Sequence, residues 1–219
     1  SNFIDSQLYR FAKIDVEYAK LFKWTKTQLV LRGFGGVGYE FDFTKNPDKR
    51  NMLPFFKQYY SGGPNGMRAW QLRRLGPGST VKYFTGDGDE VRVIVPDRFG
   101  DAQLEANIEY RFNLFQWGSY KLGSAVFSDM GNIWNARDTD ADPKAGFQLD
   151  RFYKDLAIGL GTGLRFDFNY FIVRIDYAIK MKDPTRATNN GWLDLKNMQW
   201  TEVKPNTMRV NNYAWQFGI

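Results

Sequence analysis

Residues 105–112 read Glu105-Ala106-Asn107-Ile108-Glu109-Tyr110-Arg111-Phe112, and the character of the side chain changes at every step. Ala106, Ile108, Tyr110 and Phe112 make an apolar set; Glu105, Asn107, Glu109 and Arg111 make a polar one. A β-strand points successive side chains to opposite faces, so this stretch is a ribbon with one greasy and one charged side. A helix would scatter both sets around its circumference. The same period continues outward. Ala12, Ile14, Val16 and Tyr18 alternate with Lys13, Asp15 and Glu17, and Leu164, Phe166 and Phe168 oppose Arg165 and Asp167. From Phe171 to Met181, Val173, Ile175, Tyr177 and Ile179 oppose Arg174, Asp176 and Lys180. Soluble half-buried sheets alternate too. Here the polar face is charged in strand after strand, and several strands run for about 10 residues or more, close to what a tilted strand needs to cross a bilayer.

The alternation predicts seven strands, near 8–22, 27–43, 104–113, 120–134, 155–168, 170–182 and 212–219. Their connections alternate as well: short at Phe22 to Lys26, very long at 44–103, short at Asn113 to Ser119, long at 135–154, minimal at Asn169-Tyr170, long at 183–211. Short turns on one rim and long loops on the other are the pattern of a transmembrane antiparallel β-barrel, with the long loops outside the cell. The fold class expected is therefore all-β and membrane-spanning. Single-chain bacterial barrels use an even number of strands from about eight upward, so residues 1–219 are expected to be the C-terminal portion of a longer barrel. The abrupt stop at Trp215-Gln216-Phe217-Gly218-Ile219, without a terminal aromatic, fits the same expectation, as does a start at Ser1-Asn2-Phe3-Ile4 that has no signal-peptide features.

Composition narrows the chemistry. There are no cysteines and no histidines, which removes thiol nucleophiles, disulfides, Cys/His zinc sites and His-based triads. No enzyme activity and no cofactor are expected. The 30 Lys+Arg exceed 24 Asp+Glu, but they are spread along the chain, so no nucleic-acid partner is implied. No window reaches the roughly 20 apolar residues of a spanning helix, and mean hydropathy is negative, as it is when only alternate residues meet lipid. Aromatics, at 17%, are plentiful enough to form girdles at two membrane interfaces.

The 44–103 connection is too long for an idle hairpin. Its middle reads Tyr59-Tyr60-Ser61-Gly62-Gly63-Pro64-Asn65-Gly66-Met67-Arg68-Ala69-Trp70, then Gln71 to Ser79 as QLRRLGPGS. Glycines and a proline around one arginine describe a tight, ordered turn that presents Arg68. Met67-Arg68-Ala69-Trp70 resembles the VRGF/Y signature in the sixth extracellular loop of the BamA/TamA assembly family and of two-partner secretion transporters. Ser61-Gly62-Gly63 and Leu75-Gly76-Pro77-Gly78 also resemble family pattern, nearest to the TamA-like homologues of Bacteroidota. Residues 105–112 are similar to the strand after that loop. Phe127-Ser128-Asp129-Met130-Gly131-Asn132-Ile133-Trp134 is similar to the family's FxDxGxxW strand, carried by Phe127, Asp129, Gly131 and Trp134.

The resemblance implies a barrel of 16 strands preceded by periplasmic domains. It implies an insertion factor that works on unfolded β-barrel clients in outer-membrane lipid and lipopolysaccharide, with accessory lipoproteins or a periplasm-spanning partner. It also implies that the loop folds into the lumen, where Arg68 meets Glu109 and Asp129. Alternation places Glu109 on the polar face, and Asp129 shares a face with the small Gly123 and Ala125. Two departures stand out: Ala69 replaces a glycine, so its backbone should avoid positive φ, and Trp70 replaces Phe or Tyr. A two-partner-secretion transporter, or a soluble β-domain binding glycan or lipid, remains an alternative at this stage.

Other motifs carry less. Asp138, Asp140 and Asp142 resemble a calcium loop, but Pro143 stands where glycine is needed and no Glu follows at the twelfth position. Gly86-Asp87-Gly88-Asp89-Glu90 reads as a loop surface. Gly33 to Gly38 (GFGGVG) lies within a strand rather than opening a helix, so bending or close packing against the loop explains it better than a dinucleotide. Lys13, Arg32, Arg165 and Arg174 are interleaved with Asp15, Glu17, Asp167 and Asp176, a mixture that does not make an anion pore.

Overall fold

A computed structural model describes residues 10–41, 53–81, 97–136, 143–203 and 209–219. Residues 1–9, 42–43, the Gly86–Glu90 stretch and Asp138, Asp140 and Asp142 lie outside the described residues. Seven strands form one open antiparallel sheet, in the spatial order β1 (Phe11–Lys23), β2 (Thr27–Glu40), β3 (Ala102–Trp117), β4 (Tyr120–Trp134), β5 (Ala157–Asp167), β6 (Ile172–Lys182) and β9 (Tyr213–Gly218). Neighbours in the sheet are neighbours in sequence except for a small separate ribbon, β7 (Thr201–Val203) with β8 (Arg209–Asn211). A four-residue helical turn, α1 (Phe152–Asp155), precedes β5.

The register sorts the side chains as the alternation requires. Glu17 faces Phe34 across β1–β2, Val30 faces Glu109, Asn107 faces Asp129, Asp129 faces Gly159, and Asp176 faces Gln216. One face therefore carries the charged residues of the first six strands, Lys20 apart. The other carries Ile14, Val16, Tyr18, Leu104, Ile108, Tyr110, Val126, Leu160, Leu164 and Trp215, all exposed. A contiguous exposed apolar face of this size is a surface made for lipid. The first four strands span 13, 14, 16 and 15 residues, more than the roughly 9–11 a tilted strand needs for the hydrocarbon core. Aromatic rings gather at both ends of that face. Phe22 stacks on Trp24, and Phe168 lies between Tyr120 and Phe171, near the short turns. Tyr39 meets Phe41 toward the long connections, and Tyr177 meets Trp215 midway along β6.

Two expectations from the sequence need correction. The third strand was expected at 104–113 with a six-residue connection, 114–119, after it; it runs to Trp117 and turns through Gly118 and Ser119, with Gly118 at φ +57. The cause is an irregularity in the pairing between Asn113 and Phe115. An extra residue there breaks the period of two, and Leu114 and Phe115 are both exposed. The connection expected only as long over 183–211 contains the β7–β8 ribbon and, among the described residues, a 3-10 turn at Asn189–Gly191. Three-residue strands are too short for alternation to announce.

The sorting of faces yields a test. Ile108→Arg, on the apolar face, should cost about 2–4 kcal/mol if that residue sits at bilayer depth, whereas Arg is already present at positions 111 and 165 on the other face. Urea titration of the protein refolded into vesicles reads the difference. An equal, small effect on both faces would mean that the apolar face does not meet lipid.

Candidate functional site

The long β2–β3 connection returns across the polar face of the sheet and closes on itself. Ser61 bridges to Leu75, Gly63 N–H donates to the Trp70 carbonyl at 2.8 Å, and Trp70 N–H donates to the Met67 carbonyl at 3.0 Å. The turn needs glycine at its neck: Gly62 has φ +102, and a Cβ there would fall 2.2 Å from the Gln71 carbonyl oxygen. Gly63, at φ +85, is equally left-handed. Ala69 has no positive φ, as its methyl group requires. Met67, Ala69, Trp70 and Leu75 are buried, in one cluster with Phe127, Ala157 and Ala178 from the sheet beneath.

At the apex, Arg68 is only 4% exposed. Its guanidinium forks onto Asp129: Nε donates to Oδ2 at 2.9 Å and Nη2 to Oδ1 at 2.8 Å, while its own backbone N–H adds a third bond to Oδ2 at 3.0 Å. Nη1 donates to Glu109 Oε2 at 2.5 Å, with Asp176 Oδ2 3.8 Å away. The guanidinium also lies flat on Phe127, 3.3 Å from the ring centroid, so one plane satisfies a bidentate carboxylate and a π-face together. Burial alone would lower the Arg68 pKa. The hydrogen bonds and charges of Asp129 and Glu109 outweigh it and raise the value.

The carboxylates are held in turn. Arg111 donates to Glu109 at 2.6 Å, Arg165 reaches Glu109 at 3.3 Å and Asp176 at 2.5 Å, and Asn107 bridges Asp129 Oδ1 (2.9 Å) and the Gly66 carbonyl (3.1 Å). Three guanidiniums thus face three carboxylates. Along the rest of the loop, Tyr59 donates its hydroxyl to Asp15, and Ser61 Oγ donates to Glu105 at 2.8 Å. Burial, then the Asp15 hydrogen bond and charge, push the Tyr59 phenol above its usual range. Asp101 anchors the returning chain by accepting from Leu53 N–H at 2.8 Å and Ala136 N–H at 3.2 Å. Burial raises its pKa, against the lowering effect of those bonds and one from Gln58.

The structure thus brings Arg68, Glu109, Asp129 and Phe127 into direct contact and puts Gly62, Gly63, Met67, Ala69 and Trp70 in the turn that delivers them. Gly131 permits the close approach of β3: a Cβ there would sit 2.3 Å from the Leu104 carbonyl oxygen. Trp134 lies apart from Arg68, buried against Phe147 and Asp155. Gly36 and Gly38 of the glycine-rich β2 stretch make room for Tyr59 and Leu53 of the returning loop.

Several contributors escaped sequence reasoning. Gly159, Gly161 and Gly163 occupy successive polar-face positions of β5. Added Cβ atoms would meet Ala69 Cβ at 2.8 Å, the Phe127 ring at 2.4 Å and Asp176 Oδ1 at 1.9 Å. The signal was present as a G-x-G-x-G run in phase with the charged set. Gln216 of β9 donates to the carbonyls of Arg68 (3.2 Å) and Trp70 (2.9 Å); only its phase marked it. Among the described residues no cluster of carboxylates with metal-ligand spacing occurs. The arrangement clamps a loop onto the sheet.

Gly161→Ala should destabilise by about 1–3 kcal/mol through overpacking on Phe127. Gly33→Ala, where an added Cβ meets nothing within 4 Å, should be close to neutral. Paired denaturant titrations check this, and equal effects would mean that Phe127 does not press on β5 at Gly161.

A profile of the Omp85 superfamily domain matches the chain over residues 3–219.

Proposed function

This chain belongs to the Omp85 superfamily, whose members are outer-membrane proteins that insert or secrete other proteins and are not enzymes. From that premise we propose that it folds and inserts β-barrel client proteins into the outer membrane, on the TamA-like side of the BamA/TamA group. In this reading residues 1–219 are the C-terminal portion of a 16-stranded barrel, the polar face is its lumen, and the connection near 44–103 is a lumen-inserted loop. The observation that carries the reading is the Arg68 fork on Asp129 with Glu109 as second partner, which is what the family's loop signature is expected to do.

The proposed mechanism has no chemical step. A barrel wall weakly paired at its seam offers strand edges on which a client strand adds by β-augmentation, while a thinned bilayer lowers the cost of insertion. Arg68 and its carboxylates keep the loop seated and brace the lumen from inside. Partners are unfolded clients, outer-membrane lipid and lipopolysaccharide, and accessory lipoproteins or a periplasm-spanning protein.

A charge exchange in the full-length protein tests the reading. Arg68→Glu adds a fourth carboxylate beside three others and should cost at least about 3–5 kcal/mol, seen as lost heat-modifiable gel mobility and depleted client barrels. Arg68→Glu with Asp129→Arg should recover part of both. A silent Arg68→Glu would remove the loop from the mechanism. Impaired barrel stability with normal client levels would instead favour a secretion role.

A further inference from the structure

At the end of the sheet that carries the long connections, three of them and the last turn of β6 enclose a cavity of about 640 Å³. That is the size of a small-molecule site, typically about 300–1,000 Å³, and far larger than a few waters require. Among the described residues its charged lining is Lys144, Arg151, Lys154, Asp155, Lys182 and Arg186: five cations and one carboxylate.

This imbalance contrasts with the Arg68 cluster, where guanidiniums and carboxylates match. Arg151 takes the one carboxylate, Asp155, at 3.3 Å. Arg186 is consumed by the wall: it donates to Glu202 at 2.6 Å, to the Gly191 carbonyl at 2.6 Å and to Asn212 at 2.8 Å. Lys182 is 6% exposed, yet its ammonium donates to a neutral acceptor, the Tyr153 carbonyl, at 2.7 Å. An ammonium has three donors, and the charge of Asp155 acts on this one as well as on Arg151, so one carboxylate serves two cations, which leaves buried positive charge incompletely matched. Among the described residues neither Lys144 nor Lys154 forms an ion pair with a carboxylate.

The wall is tied together by hydrogen bonds around these charges. Asp155 also accepts from Trp134 Nε1 at 3.4 Å, Asn132 holds the Asp155 carbonyl at 2.5 Å, and Asp183 N–H donates to the Gly191 carbonyl at 2.9 Å. Two part-exposed aromatic rings, Tyr153 and Trp192, flank the opening. Such rings suit the apolar face of a sugar, and the lysines suit a phosphate, whose charge-assisted hydrogen bonds are strong.

We propose that this cavity is a binding site for a phosphorylated sugar, held by Lys144 and Lys154 of the β4–β5 connection and by Lys182 at the end of β6. The same chemistry is offered by a soluble sugar phosphate and by the headgroup of a phosphorylated glycolipid, and the assay separates them. Nothing in the proposal depends on whether the barrel inserts or secretes proteins.

Full-length protein in detergent is titrated calorimetrically with glucose 1-phosphate and with glucose, and full-length protein in nanodiscs is titrated with lipid A. Lys182→Met and the surface double variant Lys144→Ala/Lys154→Ala are measured alongside, with heat-modifiable mobility reporting that each is folded. Saturable binding of glucose 1-phosphate but not glucose, weakened about tenfold or more in the double variant, supports a soluble ligand. The same loss seen only with lipid A supports the headgroup. Binding of neither probe, or binding that the folded double variant retains at full strength, overturns the proposal.

Discussion

An arginine that is almost fully buried has to be neutralised where it lies, because the guanidinium cannot shed its proton and its desolvation is costly. The rest of the structure depends on that constraint. Arg68 is carried by a loop, whereas its counter-charges, Glu109, Asp129 and Asp176, are fixed in three different strands. The loop therefore has one seat on the sheet, and the strands have a fixed point around which to pack. Each carboxylate is shared or supported, through Arg111, Arg165 and Asn107. Removing one member strands the others rather than simply deleting a contact.

Steric fit is the second half of the seat. The polar face of β5 is bare of side chains at Gly159, Gly161 and Gly163, so Ala69 and Phe127 occupy space that side chains on β5 would otherwise fill. The Ala69 methyl rests over Gly159; the carbon on the loop is matched by a missing one on the strand. Gln216 then ties the loop backbone to β9, the edge strand at the other end of β6. One short turn thus touches β3, β4, β5, β6 and β9, and its loss would be felt at an edge of the sheet as well as at its centre.

Much of this was legible in the sequence, because the signals were periodic or local. The period of two located all seven strands of the main sheet and placed Glu109 and Asp129 on the face where Arg68 meets them. The glycine-rich neck at 62–63 announced an ordered turn. What stayed hidden was of two kinds. At Leu114 an extra residue shifted the phase, and a pattern argument cannot see past its own interruption. The partners of the loop, Gln216 and Gly159, lie 146 and 90 residues from Trp70 and Ala69 respectively by their numbers, and only the sheet's register brings them together. Glycines in phase with a charged face were the usable clue, since a strand gives up packing there only when something else must approach.

The claim on which the account rests is that the loop apex lies on the polar face of β5 in the membrane-embedded protein. The chain has no cysteine of its own, so an engineered pair reports without background. Ala69→Cys with Gly159→Cys places the two Cβ atoms about 1 Å closer than the usual disulfide range of about 3.5–4.5 Å, a gap that a small loop shift accommodates. In intact outer membranes under mild oxidation this pair should cross-link, and Ala69→Cys with Gly33→Cys, on the opposite face, should not. Absence of the first cross-link in protein that retains its heat-modifiable mobility would show that the loop lies elsewhere and would contradict the account at its centre.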